Sequence, residues 1–264
     1  MSVQERGRLL PGVLNIPYIP GGFGGFLRIT RRDRDFTQKE LSQGLGFKDT
    51  DTLRGVEAGL SSVDRQTFNR LSGILDWTPE ERALALLLAK IAPTDAEKTQ
   101  WLEQIREYVE LEGPPIFARD YTGQILLPSE GFKKLIRFSK SYSEEELPNM
   151  WQVFVDDDIL LVEGGSQAYK NNVAQFRYQT MPYKEQKWRK DLLIKFACSD
   201  LFLKTWLQTD DIAVEDEIGS SRMFHRRIML PSPDGSEILT LVQITCPATL
   251  DYRFQVEFLV PYCA

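Results

Sequence analysis

Six side chains with hydrogen-bonding or charged ends occur between residues 32 and 54. Amide, hydroxyl, ammonium and guanidinium groups bind phosphate oxygens, and several of them also recognise base edges. If short helices present these groups on one exposed face, the face is suited to contact a nucleic-acid duplex. The six residues are Arg32, Gln38, Lys48, Thr50, Thr52 and Arg54.

Residues suited to catalysis or metal binding are sparse. His225 is the only histidine, and we expect it at the surface or at the edge of a core. The three cysteines form no Cys-x-x-Cys pair, which is typical of reduced thiols rather than a zinc site or disulfides. The acidic runs at 156–158 and 215–217 are read as solvated loops in preference to cation sites. The sequence therefore predicts no enzyme, no metal and no cofactor. The cysteines are Cys198, Cys246 and Cys263.

Two short helices are predicted to position the DNA-facing groups. Thr37 and Glu40 have the S/T-x-x-E spacing of a capping box, so a helix begins there. Gly46 suits the end of that helix because it tolerates positive φ. Leu53 and Val56 then form the apolar stripe of a second short helix. Two helices joined by a glycine-containing turn indicate a helix-turn-helix.

Two acidic residues complicate this interpretation. Asp49 and Asp51 flank Thr50 at the start of the second helix, where they would repel phosphate. Either one can instead cap the helix, because Asp is among the preferred N-cap residues. We favour the capping role. The other reading is a helix-turn-helix that no longer binds DNA.

The net charge of −6 is unevenly distributed. Residues 1–93 hold 13 of the 32 Lys and Arg and 11 of the 38 Asp and Glu, a balance of +2. The remainder holds 19 basic and 27 acidic residues, a balance of −8. The N-terminal third is thus the part of the chain that tolerates an anionic partner.

The N-terminal third also resembles a known family. Over residues 24–92 it is similar to the lambda-repressor-like helix-turn-helix of xenobiotic-response-element-type regulators. The resemblance implies that Arg28 or Arg31 pairs with Glu57, while Arg32 and Arg34 remain free for phosphates or water. The matching segments are Leu27-Arg28-x-x-Arg31, Phe36-Thr37-Gln38-x-Glu40-Leu41, Leu45-Gly46-Phe47 and Glu57-x-Gly59.

Four regions are predicted along the chain. Residues 1–25 are rich in Pro and Gly and are expected to form an irregular arm, either loosely attached or contacting DNA or a partner subunit. Residues 26–93 form an all-α helix-turn-helix domain of about five helices, the first from Phe26 to Arg34. Residues 94–112 form an amphipathic connector helix, with Trp101 expected to pack against the next domain. Residues 113–264 combine strands and helices, which indicates an α+β domain with an antiparallel sheet.

The second half resembles the MmyB-like ligand-binding domain, a PAS-type fold that follows this kind of helix-turn-helix. One segment departs from the family: Leu127-Pro128-Ser129 stands where Trp-Asn often follows the second strand. Ligand contacts made by those family residues are therefore not transferred. The matching segments are Pro115-x-x-x-x-Arg119-Asp120-x-x-Gly123-x-Ile125-Leu126, Ala174-x-Phe176-Arg177, Trp188-x-x-x-Leu192-Leu193, Ser199-Asp200-x-Phe202-x-x-x-Trp206 and Pro261-Tyr262.

Aromatic residues and one arginine are the candidate ligand-binding groups of this half. A PAS-type sheet curls around its own helices, so some of its aromatic side chains can line an apolar cavity. The resemblance suggests a fatty-acyl-like ligand, and Arg177 is the expected partner of its carboxylate. The alternative for Arg177 is a structural ion pair with a carboxylate of its own domain. The aromatic candidates are Phe117, Phe132, Phe176, Trp188, Phe196 and Trp206.

Together these features predict a cytoplasmic transcriptional regulator that binds a double-stranded DNA operator as a homodimer and responds to a small lipophilic ligand such as a fatty acid. A dimer is expected because paired modules read half-sites about 34 Å apart. No membrane partner is expected, because no apolar run reaches the roughly 20 residues that a spanning helix needs. The alternative is a ligand-binding or protein-interaction module without DNA affinity.

Overall fold

The computed structural model describes residues 19–111, 113–136, 146–208, 225–246 and 251–261. Six helices come first in the chain, and helices and strands follow. The first six are α1 (Gly22–Asp33), α2 (Gln38–Leu45), α3 (Asp51–Glu57), α4 (Arg65–Ile74), α5 (Pro79–Leu88) and α6 (Asp95–Val109). The remaining helices are α7 (Glu130–Ile136), α8 (Met150–Phe154), α9 (Gly165–Thr180), α10 (Lys187–Phe196) and α11 (Asp200–Gln208).

Two short 3₁₀ helices and five strands complete the described elements. The 3₁₀ helices are Asp157–Leu161 and Met181–Tyr183. The strands are β1 (Ile116–Asp120), β2 (Ile125–Pro128), β3 (His225–Pro231), β4 (Ile238–Cys246) and β5 (Phe254–Pro261). Within the described ranges, no helix has the length and apolarity required to cross a membrane.

The chain divides into two compact units. The first contains the described residues up to Lys98 together with 251–253, and the second contains the rest. The sequence predicts a connector helix over residues 94–112, and the division between the units falls inside α6, between Lys98 and Thr99. The first turn of α6 packs with the first unit, and its later turns pack with the sheet.

Helix α1 begins at Gly22, four residues before the predicted start at Phe26, so residues 22–25 are helical and not part of an irregular arm. The glycines there permit close packing within the first unit. A Cβ on Gly24 would lie 2.4 Å from the carbonyl oxygen of Val56, which no larger residue could tolerate without a backbone shift. Residues 1–18 of the predicted arm lie outside the described residues.

The predicted five-helix arrangement of the first unit is confirmed. The expected helix start at Thr37 is a capping box with Glu40, and α5 begins with a second capping box, formed by Thr78 and Glu81. The apolar faces of α1 to α5 meet in one core, where the ring of Trp77 lies 5.4 Å from that of Phe68. Because each helix contributes only a narrow apolar stripe, this shared core stabilises all five together.

Arg253 lies in the short segment, residues 251–253, that belongs to the first unit. Its side chain is 1% exposed and pairs with Asp251 at 2.6 Å and with Glu97 at 3.1 Å. Burial alone would raise the pKa of Glu97, but hydrogen bonds from the Thr94 backbone, Arg65 and Arg253 lower it to about 2. This ion-pair cluster joins residues 156 positions apart and was not predicted.

The second unit contains an antiparallel sheet in the order β2-β1-β5-β4-β3. This confirms the predicted α+β class with an antiparallel sheet. The region from Trp188 to Trp206 contains two helices, α10 and α11, with a break at 197–199.

Both faces of the sheet are covered by helices of the second unit. On one face, Trp101 of α6 stacks on Phe254 with 4.6 Å between ring centroids, which confirms the predicted packing role of Trp101. On the other face, Phe117 and Leu259 join the core formed with α7 to α11. Alternate residues of β1 therefore point into different cores, as the two-residue period of a strand requires.

Candidate DNA-binding surface and ligand site

Glu57 is the centre of a buried polar network in the first unit. It is 3% exposed and accepts hydrogen bonds from Arg31 Nε at 2.6 Å and from Gln38 Nε2 at 2.8 Å. Arg28 lies 3.7 Å away and donates to the Glu57 carbonyl oxygen. Burial by itself would raise the pKa of Glu57, but the bonds from Arg31 and Gln38 lower it. The predicted pairing of Arg28 or Arg31 with Glu57 is thus found for both arginines.

Gln38 connects this buried network to the exposed face of α3. Its amide nitrogen donates to Glu57, and its amide oxygen accepts from Arg54 Nε at 3.4 Å. Arg54 also donates to Asp51 Oδ1 at 2.9 Å. The Arg54 guanidinium is therefore held at the surface by neighbours on α2 and α3, with its charge exposed.

The start of α3 distinguishes between the two aspartates. Asp49 Oδ1 accepts hydrogen bonds from the backbone nitrogens of Asp51 at 3.0 Å and Thr52 at 3.3 Å. Asp49 thus performs the capping function, while Asp51 pairs with Arg54. Lys48 and Thr52 are exposed, and Thr50 is half-buried.

The two arginines expected to be free differ in their surroundings. Arg32 is exposed at the last turn of α1, as predicted. Arg34 is not free: its Nη2 lies 2.6 Å from Glu81 and also donates to the Asp76 carbonyl oxygen. The prediction that Arg34 is free was wrong, because its half-buried partner Glu81 on α5 is 47 residues away in sequence.

Three of the predicted ligand-binding aromatics are core residues. Phe117, Phe132 and Phe176 are fully buried, and Phe117 packs on Phe132 with 4.5 Å between ring centroids. Phe196 is 8% exposed, and Trp188 and Trp206 are half-buried at the edge of the same core. Their aromatic character identified the core correctly, but three of the six have no surface for a ligand in this conformation.

Arg177 lies on α9 and points toward the C-terminal end of α11. Its Nη1 donates to the carbonyl oxygen of Trp206 at 3.0 Å, and its guanidinium carbon lies 5.3 Å from the centre of the Trp206 ring. A helix C-terminus carries partial negative charge, which favours a cation there. This carbonyl and the indole face of Trp206 are two of the groups that hold Arg177 in place.

A second arginine approaches the same indole ring. Arg189 of α10 is 9% exposed, and its guanidinium carbon lies 5.9 Å from the centre of the Trp206 ring. Its Nε donates to Thr180 Oγ1 at 2.9 Å, and within the described ranges no carboxylate pairs with it. Burial and then the charge of Arg177 lower the pKa of Arg189. Two guanidinium groups that cannot shed their charge therefore converge at Trp206.

Sequence reasoning missed Arg189. It lies in Lys187-Trp188-Arg189-Lys190, which reads as a solvated basic stretch beside one aromatic residue. Only the packing of α10 against α9 and α11 separates Arg189, which is buried, from its exposed neighbours Lys187 and Lys190. No sequence signal within α10 itself distinguishes the three cations.

The remaining candidate groups have ordinary surroundings where they are described. Cys198 is exposed and Cys246 is half-buried, and both are free thiols. Asp156 caps the 3₁₀ helix Asp157–Leu161 by accepting from the Asp158 backbone nitrogen at 3.0 Å. The run at 215–217, Cys263 and the side chain of His225 lie outside the described residues.

No protein-family model matches the sequence, and no curated protein is significantly similar to it.

Proposed function

We propose that this protein is a DNA-binding transcriptional regulator. The observation that supports this best is the path from buried Glu57 through Gln38 to Arg54. It fixes a guanidinium on the exposed face of a short helix that follows a glycine-containing turn. A guanidinium held in this way loses little side-chain entropy when it contacts a base edge or a phosphate.

The proposed interface is the exposed face of α2 and α3 with the end of α1. Arg54 and Thr52 face the base edges, Lys48 and Gln38 face phosphates, and Thr50 and Arg32 flank them. The ion pair between Arg54 and Asp51 is exposed, so replacing it by a DNA contact costs little. A homodimer, with two such faces spaced by about one helical turn of DNA, stays a prediction.

Arg54→Ala is expected to weaken operator binding by about 1–3 kcal/mol, because a guanidinium contact to a base edge is lost. The operator is first selected from random duplexes with the full-length protein, and affinity is then measured by fluorescence anisotropy. Arg106→Ala is the matched control, because it removes the same charge from an exposed ion pair on α6. Full operator affinity in a Lys48→Ala, Arg54→Ala double variant would exclude this interface.

For the second unit, we propose a PAS-type domain that binds a fatty-acyl-like carboxylate ligand. Helices α7 to α11 lie between β2 and β3 in sequence and pack on one face of the sheet, which supports a sheet folded around its own helices. Arg189 supports the carboxylate, because it is a buried cation whose described contacts include no anion. A buried charge of this kind is stabilised by an anionic partner.

The ligand would change DNA binding by favouring one of two dimer geometries. Such an effect requires a different ligand affinity for each geometry, and its size cannot exceed that difference. The carboxylate would lie between Arg177 and Arg189 at Trp206, and the acyl chain would extend along the aromatic edge formed with Trp188 and Phe196. Since Phe117, Phe132 and Phe176 are fully packed, we assign them to the core.

Arg189→Met is expected to weaken decanoate binding by about 1.5–3 kcal/mol, because hydrogen bonds to a charged group are lost. Binding of decanol, which has the same chain and no charge, should change little. Calorimetry measures both ligands on the full-length protein, with Lys190→Met as the control for an exposed neighbouring cation. Arg177→Met is the companion variant. Equal losses for acid and alcohol, together with a lower melting temperature, would assign the arginines to stability alone.

The alternative function is a ligand-binding or protein-interaction module without DNA affinity. The observation that favours it is the engagement of Arg54 by Asp51 at 2.9 Å, which partly neutralises the central cation of the proposed interface. One experiment distinguishes the two functions. Selection from random duplexes enriches a specific sequence if the protein is a DNA-binding regulator, and it enriches none if the protein is a module without DNA affinity.

A further inference from the structure

A cleft of about 600 Å³ opens in the second unit, away from the arginine pair. It lies where α8 and the 3₁₀ helix Asp157–Leu161 meet the C-terminal end of α10 and the start of α11. Arg189 lies in the first turn of α10, and Arg177 contacts the last turn of α11, so both are at the ends of these helices that lie away from the cleft. The volume falls within the range of small-molecule sites, roughly 300–1,000 Å³.

The walls of this cleft combine acidic and apolar side chains. Glu146, Asp156 and Asp157 contribute carboxylates, and Lys195 contributes the one cation among the described lining residues. Asp157 Oδ2 accepts a hydrogen bond from Ser199 at 3.0 Å, which fixes that carboxylate at the wall. The described lining residues therefore carry a formal excess of two negative charges, which favours a cationic ligand over an anionic one.

The floor of the cleft supplies apolar surface. Val155, Phe196 and Phe202 line it, and all three are at least nine-tenths buried. A bare metal ion would leave this surface unused, because divalent cations such as Ca²⁺ take six to eight oxygen ligands. A molecule with an apolar body and a positive end uses both kinds of wall.

Tyr169 provides an independent sign of a polar ligand group. It lines the cleft and is 1% exposed, and its hydroxyl has no hydrogen-bond partner among the described residues. Asp157 and Ser199 lie close enough to affect its pKa, which burial and then Asp157 raise, but neither has the distance and angle of a hydrogen bond. An unpaired buried hydroxyl costs free energy that a bound donor or acceptor recovers.

We infer that this cleft binds a primary amine carried on an aromatic or aliphatic body. The ammonium group lies against Asp157 and Asp156 and donates to the Tyr169 oxygen. The apolar body contacts Val155, Phe196 and Phe202. This site shares Phe196 with the carboxylate site proposed above, but the charged groups of the two sites are different residues, and neither proposal depends on the other.

The test is calorimetric titration of the full-length protein with 4-phenylbutylamine, 4-phenylbutanol and 4-phenylbutyrate. These probes share one body and differ only in the charge of the end group. The amine should bind about tenfold or more tightly than the alcohol, since hydrogen bonds to charged groups are the stronger ones. Comparable affinities for amine and alcohol, or preference for the carboxylate, would overturn the proposal.

Two variants locate the binding. Asp157→Asn keeps the shape of the side chain but removes its charge, and it should weaken the amine about tenfold while leaving the alcohol unchanged. Asp191→Asn removes the same charge from an exposed position on α10 outside the cleft and should have no effect. An amine affinity that Asp157→Asn and Asp191→Asn change equally contradicts the assigned site.

Tyr169→Phe keeps the proposal testable if Asp157→Asn fails to fold. The variant removes only an oxygen without a described partner, so the melting temperature should be unchanged or higher. Amine affinity should nevertheless fall several-fold. Unchanged amine affinity in this variant would show that the hydroxyl plays no part and would overturn the proposed binding mode.

Discussion

Replacing Glu257 with Leu is expected to lower the free energy of unfolding by about 3–5 kcal/mol. Glu257 is fully buried, and its Oε1 lies 2.6 Å from Arg119 Nη2 and 2.8 Å from Arg119 Nε. Its other oxygen accepts from Thr245 Oγ1 at 2.7 Å. The substitution leaves the Arg119 guanidinium, which is 6% exposed, without its counter-charge. Breaking one side of a buried pair is costlier than never forming the pair.

The double variant Arg119→Met, Glu257→Leu separates loss of an ion pair from loss of packing. Replacing both charges by apolar groups of similar size is often neutral or stabilising, so most of the lost stability should return. Urea unfolding of the full-length protein followed by circular dichroism measures each variant. Glu110→Leu is the control, because it breaks an exposed pair with Arg106 and should cost less than about 1 kcal/mol. Similar losses in Glu257→Leu and Glu110→Leu would contradict the buried-pair argument.

Glu57→Ala is expected to lower the free energy of unfolding of the first unit by about 3–5 kcal/mol, because it leaves the buried guanidinium of Arg31 without its counter-charge. It should also weaken operator binding, although Glu57 itself lies below the surface, since Gln38 and then Arg54 lose their fixed positions. Thermal unfolding and anisotropy measure the two effects. Glu80→Ala, at an exposed position in the first turn of α5, should cost no more than about 1 kcal/mol.

The Glu57 network also predicts a dependence on pH. The pKa of Glu57 is lower in the folded protein than its ordinary value of 4.5, so the unfolded chain takes up its proton first as acid is added. The stabilisation is complete above pH 4.5 and is lost as the pH falls through the lowered folded pKa. Glu57→Ala should therefore lose stability less steeply below pH 4.5 than the unmodified protein. If the stability of the two proteins falls equally steeply below pH 4.5, other carboxylates cause the loss of stability in acid.

Local signals in the sequence determined the helices of the first unit and the α+β class of the second. The capping boxes at Thr37 and Thr78 and the glycine after α2 act over a few residues, so they can be read directly. Their predictions hold within a few residues. The exception in the first unit is α1, which begins four residues before its predicted start, at glycines of which Gly24 lies against the α3 backbone.

Tertiary structure decided which of the polar groups act together. Arg119 and Glu257 are 138 positions apart and meet because β1 and β5 are neighbours in the sheet. Arg189 is buried beside Arg177 only because α9, α10 and α11 pack at Trp206. The same packing placed Phe117, Phe132 and Phe176 in a closed core and left the cleft at Tyr169 open. Burial and charge pairing depend on the positions of distant segments, and local periodicity carries no information about those positions.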